Sequence, residues 1–139
     1  MFAIVIDTEG RDNEARTNIT DIIDRCIDKE YKCFISNPCF EFFLLLHTYN
    51  PIEEYNKAPD NFINNPVVSN SHTYVSKMVS EHHGHGKKIS EKKFKEIYLK
   101  NISQALSNSY SWAHTLDDVK NNVGSNMIEL FRLLMKKDI

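Results

Sequence analysis

Cysteine is scarce in this sequence. Cys26, Cys33 and Cys39 form an odd set of three, with neither a Cys-x-x-Cys pair nor a zinc-ligand spacing. That argues against a disulfide framework and a structural zinc site, and it suits a reducing cytosol in which the thiols are small core residues. A basic-then-apolar leader is also missing from the start of the chain. The most apolar segment, Phe40 to Leu46, is far too short to span a bilayer. Excess charge of one sign is absent too. The net charge of −2 gives no global electrostatic case for nucleic acid, although a local basic face stays open because binding depends on how charge is distributed. No internal repeat, low-complexity tract or second-domain boundary interrupts the 139 residues. The expectation is one cytoplasmic globular domain over residues 1–139, with no membrane partner, long enough to bury a core without staples.

What is present begins with "FAIVID" (2–7), a short apolar run rich in β-branched residues. Bounded by "TEGRDN", it has the pattern of a strand buried on both faces. Residues 12–30 place Ala15, Ile19, Ile22, Ile23, Cys26 and Ile27 at helical spacing, with Asp12 or Asn13 available as a cap. "YKCFIS" (31–36) reads as a second strand, which completes a βαβ unit. "NPCFEFFLLLHTY" then predicts a helix apolar on nearly all sides, with Asn37 as N-cap and Pro38 in its first turn.

Residues 50–70 hold three of the four prolines and many asparagines, and read as a long irregular connection with at most a short helical turn. A helix is predicted over 71–83, with Tyr74, Val75, Met78 and Val79 on one side. "HGHGKK" breaks the chain. A longer amphipathic helix is predicted over 90–110, capped by Ser90, with Phe94, Ile97, Tyr98, Ile102, Ala105 and Leu106 as its stripe. "TLDDVKNNVG" reads as a loop. A last helix starts at a Ser125 cap and ends near Lys136 and Lys137, which suit its C-terminal dipole. The fold class is α/β: a partial parallel sheet followed by a helix-rich C-terminal half.

Three constellations carry titratable groups. Asp7 and Glu9 lie at the carboxyl end of the first strand, where open α/β sheets place their sites, and residues two apart on a strand share a face. Two such carboxylates repel each other unless a cation lies between them or one takes a proton. Hard oxygen donors suit Mg²⁺ or Mn²⁺; the plainer alternative is a solvated polar strand end. Glu41 and His47 are the titratable pair of the apolar helix. They lie roughly 120° apart around its axis and do not face each other. A histidine there is more often a core hydrogen-bonder than a ligand. "EHHGHGKK" (81–88) brings three imidazoles close together, but its glycines and irregular spacing favour a solvated loop over a transition-metal site. Lys87 and Lys88 open a lysine-rich stretch that fits phosphate contact or an ordinary exposed helix. Cys39 lies near a helix N-terminus, which lowers a thiol pKa, but its aromatic neighbours argue for burial.

Together, "FAIVIDTEGRDNEA" and "FISNPCFEFFLLLHT" resemble the RloB-like proteins of the Toprim superfamily. Those proteins carry an Asp-x-Asp strand end, then a helix, then a Ser-Asn-Pro-x-Phe-Glu segment closing on Trp-Leu-Leu-Leu-His. Residues 36–47 match that segment, with Phe43 in the tryptophan position. "KNISQALSNSYSW" and "GSNMIELFRLLM" are similar to the family's C-terminal helices. The resemblance implies a Mg²⁺-dependent, nuclease-like effector from a bacterial restriction or phage-defence locus. Its expected partners are DNA or RNA and an ABC/AAA-type ATPase, with homo-oligomers also open. It implies Asp7 and Glu9 as metal ligands and Glu41 and His47 as catalytic groups near the site. Asn37, Lys87 and Lys88 would contact substrate. Glu9 stands where the family has a second aspartate. The strand and glutamate-bearing loop that open a Toprim domain have no counterpart before Met1, so the chain is expected to be N-terminally truncated relative to the family. That gap supports a second reading, a non-catalytic module that docks the ATPase or binds a nucleotide.

Overall fold

A computed structural model describes residues 2–135. Strand β1 (Ala3–Asp7) leads into helix α1 (Ala15–Asp28) and strand β2 (Lys32–Asn37), and β1 and β2 pair in parallel with Asp7 opposite Ser36. The βαβ start and the α/β class predicted from sequence are therefore observed. Helix α1 begins where Asn13 Oδ1 accepts the Ala15 N–H at 2.9 Å. Its Ile19, Ile23 and Cys26 cover one face of the sheet and pack against Ile4, Ile6, Cys33 and Ile35.

Burial of β1 differs from the expectation. β1 is the edge of a three-stranded sheet ordered β1-β2-β5, where β5 is the short strand Gly124–Ser125, and only the α1-facing residues of β1 are covered. Val5 is 52% exposed. An apolar run shows that a strand is wanted; how many neighbours cover it depends on the rest of the chain.

The other face of β2 carries Phe34 into the main core with helix α2 (Phe40–Leu45). Phe42, Phe43, Leu45 and Leu46 are buried, so the helix is apolar on most sides because protein surrounds it. Its start is corrected in detail. Cys39, not Asn37, is the N-cap residue, and Pro38 follows a cis peptide bond outside the helix. Asn37 ends β2, and its amide donates to the Val119 carbonyl at 3.0 Å.

Residues 50–70 are more ordered than their composition suggests. They form α3 (Ile52–Lys57), α4 (Pro59–Ile63) and strand β3 (Val67–Ser69), which pairs antiparallel with β4 (His72–Thr73). Phe62 of α4 is fully buried and meets Phe42 and Tyr74 edge-on. Helix α5 (Tyr74–His83) is capped by Thr73 and closed by Gly84 in the left-handed region.

The helix predicted over 90–110 is broken. Helix α6 (Glu91–Lys93) runs into a π-helical turn at Phe94–Leu99, and α7 (Ile102–Ser109) follows. The wider turn rotates Tyr98 inward and leaves Phe94 48% exposed. "TLDDVKNNVG" contains a short helix, α8 (Leu116–Val119), whose Val119 is buried against α1 and β2. Strand β5 (Gly124–Ser125) pairs antiparallel with β2. A Cβ at Gly124 would lie 2.0 Å from the Ala113 carbonyl oxygen, so only glycine fits.

The fully buried Asn126 extends this pairing with its side chain. It accepts the Ile35 N–H at 2.6 Å and donates to the Cys33 carbonyl at 3.0 Å. Two buried backbone groups of β2 are thereby satisfied where, among the described residues, no further strand does so. Helix α9 (Met127–Met135) starts beside Ser125, whose hydroxyl accepts the Met127 N–H. Lys136 and Lys137 lie outside the described residues. Among the described residues, no helix is long and apolar enough to cross a membrane.

Candidate functional site: an acidic cleft and a histidine–tyrosine network

The carboxyl end of β1 and the first turn of α2 meet because parallel strands bring their connections to the same edge of the sheet. Asp7 projects from the last position of β1, on the face it shares with Ser36. The chain then leaves the strand. Thr8 N–H still donates to the Ser36 carbonyl, and Glu9 N–H donates to the Pro38 carbonyl at 2.9 Å. Glu9 itself sits at φ 68°, the left-handed region that a glutamate adopts only at a cost. Strand alternation therefore does not place Glu9 beside Asp7; a turn does.

Two contacts hold that turn. A Cβ on Gly10 would lie 2.0 Å from the Asn64 carbonyl oxygen, so the loop packs backbone to backbone on the end of α4. Arg16 donates from its guanidinium to the carbonyls of Glu9 at 2.5 Å and Lys120 at 3.3 Å. Sequence reasoning did not single out Arg16. The only available signal was an arginine seven residues beyond a candidate ligand, on the helix that follows.

Asp7, Glu9 and Glu41 line one open cleft of about 320 Å³, together with Cys39, the β3–β4 hairpin and Lys87. Partial burial and then the nearby Glu41 raise the Asp7 carboxyl to about 6, with a smaller push from Glu9. The Phe40 N–H at the start of α2 donates to Asp7 and offsets part of this. Cys39 is buried beneath the cleft, and its thiol donates to Glu41. Burial, Glu41 and Asp7 all hold that thiol well above its ordinary value, which favours the thiol over the thiolate.

Among the described residues, no three of His, Cys, Asp and Glu are grouped closely enough to cage a metal ion. The donor set still fits a hard divalent cation. Mg²⁺ keeps several waters and is typically held by one or two carboxylates plus substrate phosphate. The Asp7 carboxyl is raised first by burial and then by Glu41 and Glu9, and a bound cation would favour its charged form.

The remaining predicted residues separate. Lys87 stands at the cleft, whereas Lys88 does not line it. Asn37 is committed to the Val119 carbonyl and borders a small polar pocket with Arg11 and Arg16 instead. His47 lies in a different, apolar pocket beside Phe43, Phe131 and Met127. Its Nδ1 donates to the Phe43 and Leu44 carbonyls, both at 3.1 Å, and burial lowers its pKa. The cleft thus gathers Asp7, Glu9, Glu41 and Lys87, and leaves Asn37, His47 and Lys88 outside.

The histidine-rich stretch is not simply a solvated loop. His83 is buried, with Nε2 2.6 Å from Thr48 Oγ1 and Nδ1 2.8 Å from the Tyr98 hydroxyl. The same hydroxyl contacts His85 Nε2, and His85 Nδ1 is 2.7 Å from the Gly86 carbonyl. With neutral imidazoles the directions follow. A carbonyl only accepts, so His85 Nδ1 carries the proton and Nε2 accepts from Tyr98. Tyr98 then accepts from His83 Nδ1, and His83 Nε2 accepts from Thr48. Burial holds the Tyr98 hydroxyl at about 12, so it stays a donor. Burial, and next the neighbouring His85, push His83 down to about 4.

The sequence profile of the RloB-like protein family matches residues 1–134. The chain belongs to the RloB-like family. No curated protein and no solved structure matches it. The family match spans β1, the acidic cleft and the Ser36–His47 segment within one continuous alignment. In this RloB-like chain the segment has two separate uses. Its N-terminal half builds the cleft wall through Cys39 and Glu41, and its C-terminal half carries His47 into the core.

Proposed function

We propose that this RloB-like chain is a Toprim-like, Mg²⁺- or Mn²⁺-dependent phosphodiesterase acting on DNA or RNA as a cytoplasmic effector of phage defence. The observation that supports it best is the convergence of Asp7, Glu9 and Glu41 on one cleft, where Asp7 is raised to about 6 by partial burial and by both other carboxylates. In this reading Asp7 and Glu9 would hold the cation and Glu41 would orient the attacking water. Lys87 meets a phosphate. When bound, the cation polarises a phosphoryl oxygen and lowers the pKa of water. His47 has no part in the chemistry, because its imidazole faces an apolar pocket.

The test is Mn²⁺ binding by calorimetry, paired with cleavage of single- and double-stranded oligonucleotides. Binding and cleavage are expected in the native chain and lost in Asp7→Asn. A chain that binds no Mn²⁺, or an Asp7→Asn variant that binds and cleaves equally well, overturns the proposal.

A second reading is a docking module for an ABC/AAA-type ATPase or another copy. It is favoured by β1, an edge strand whose outer residues are uncovered. The two readings part on substitution. Phage restriction lost in Asp7→Asn and kept in Val5→Lys supports the enzyme; the reverse pattern supports docking.

A further inference from the structure

A second cavity of about 290 Å³ lies beside the acidic cleft, between α2 and α5 and beneath the loop at residues 85–89. The two spaces adjoin, and Glu41, His72, Ser76 and Lys87 line both. Their chemistry is different. The cleft wall is carboxylate and amide, whereas the second cavity is walled by Phe40, Leu44, Val79 and Ile89, with the imidazole of His85 among them. It lies at the small end of the range for small-molecule sites and has their composition, apolar walls with a few polar groups at one side.

His85 gives this cavity a specific character. Both of its ring nitrogens are already engaged, one with the Gly86 carbonyl and the other with the Tyr98 hydroxyl. It therefore has no free ring donor or acceptor to offer a ligand, only a ring face. The Tyr98 hydroxyl is itself held by the buried His83, and His83 by Thr48, so a histidine on a glycine-flanked loop has a fixed orientation. A fixed aromatic platform opposite aliphatic walls is the arrangement that receives a flat ring. The charged groups, Glu41 and Lys87, stand only on the side that opens to the acidic cleft.

We infer that this cavity is a nucleobase subsite: the base stacks on His85 between α2 and α5, and the attached phosphate reaches Lys87 and the acidic cleft. The inference rests on the phosphodiesterase reading for the phosphate end alone. The base end stands on the cavity and the His83–Tyr98–His85 chain. Tyr98 is a positioning residue that acts through His85.

Adenosine tests the base end without any phosphate or metal. Titrated into the ¹⁵N-labelled native chain, it is expected to shift the amide signals of Leu44, Val79 and Gly86. His85→Ala is expected to weaken adenosine at least about fivefold, as loss of one base-stacking contact does. Tyr98→Phe, which keeps the ring of His85 and removes its hydrogen-bond partner, is expected to weaken it less. Comparing adenosine 5′-monophosphate with ribose 5-phosphate, with and without Mn²⁺, separates the two ends. Tightening of both phosphates by Mn²⁺ reports on the acidic cleft, and an advantage of the adenylate over the sugar phosphate reports on the base cavity. The subsite is overturned if adenosine at millimolar concentration leaves those signals unmoved while Mn²⁺ still binds. It is equally overturned if a folded His85→Ala chain binds adenosine as the native chain does. If adenosine binds but Mn²⁺ tightens neither phosphate, the metal reading fails and the base subsite stands.

Discussion

The acidic cleft and the histidine network lie on either side of the second cavity and solve opposite electrostatic problems. In the cleft, three carboxylates share one open space, and partial burial, then the nearby Glu41, lets Asp7 hold its proton up to about pH 6. Around Tyr98, each imidazole nitrogen of His83 and His85 has a partner, and His83 responds by refusing a proton down to about pH 4. The first region sets three carboxylates against the ammonium of Lys87, so its charges are not balanced. The second has polar groups that satisfy one another, which is the state of a structural brace. Perturbed ionisation alone does not distinguish a site from a scaffold; whether the partners are already present does.

The strongest way to break this contrast is to remove the brace. His83→Ala leaves a cavity and strips the Thr48 and Tyr98 hydroxyls of a buried partner, at an expected cost of about 2–4 kcal/mol in urea unfolding. A loss below about 0.5 kcal/mol would mean that the network is not structural.

Removing the repulsion should act in the other direction. Asp7 titrates near 6 in the fold against 3.8 in the free chain, so the folded state binds its proton more tightly. Stability from that group is full below about pH 4 and is lost as pH rises through 6. Asp7→Asn is therefore expected to gain about 1–2 kcal/mol at pH 7.5, after allowing for screening by the water that reaches the cleft. The gain should vanish near pH 4, and saturating Mn²⁺ should erase it by stabilising only the native chain. His83 has the opposite sign. Its folded value of about 4 lies below the 6.5 of the free imidazole, so its contribution is full above pH 6.5 and fades as pH falls toward 4. Thermal melts across pH 4–8 should show His83→Gln flattening that acid limb and Asp7→Asn steepening it, because removing Asp7 takes away a contribution that falls as pH rises through 6.

Glu9→Gly is a smaller and sharper test. Relief of the left-handed backbone at φ 68° is expected to add about 1 kcal/mol of stability while weakening Mn²⁺ binding, a split that a purely structural glutamate would not give. The smallest stability effect belongs to the lysines. Lys87→Ala and Lys88→Ala should both unfold within about 0.5 kcal/mol of the native chain. Only Lys87→Ala should weaken binding of adenosine 5′-monophosphate in the presence of Mn²⁺, because only Lys87 lines the cleft.

The meeting of Asp7 with Glu41 was legible in the sequence. A strand ending in Asp7, a helix, a parallel strand and a helix starting near Pro38 place both carboxylates at one edge of the sheet, whatever the later chain does. Glu9 was right in neighbourhood and wrong in reason, because the chain turns after Asp7 and alternation no longer applies. The roles of Asn37 and the histidines were not legible. Asn37 has the local pattern of an N-cap, yet its amide serves the Val119 carbonyl, 82 residues away. Tyr98 has the pattern of a helix-stripe residue, yet a π-helical turn aims it at two histidines.

The sequence by itself determined the α/β class, the βαβ start, the apolar α2 and the edge at which the carboxylates gather. These follow from hydrophobic period and strand direction, which are local properties. Tertiary structure decided which side chains became partners. Thr48, His83, Tyr98 and His85 come from separate elements and meet only when α2, α5 and the π-helical turn pack. It also decided that β1 is an edge strand and that Asn126 takes the place of a strand beside β2. Burial and hydrogen-bond partners are set by what the rest of the chain brings alongside, and no local pattern of residues encodes that.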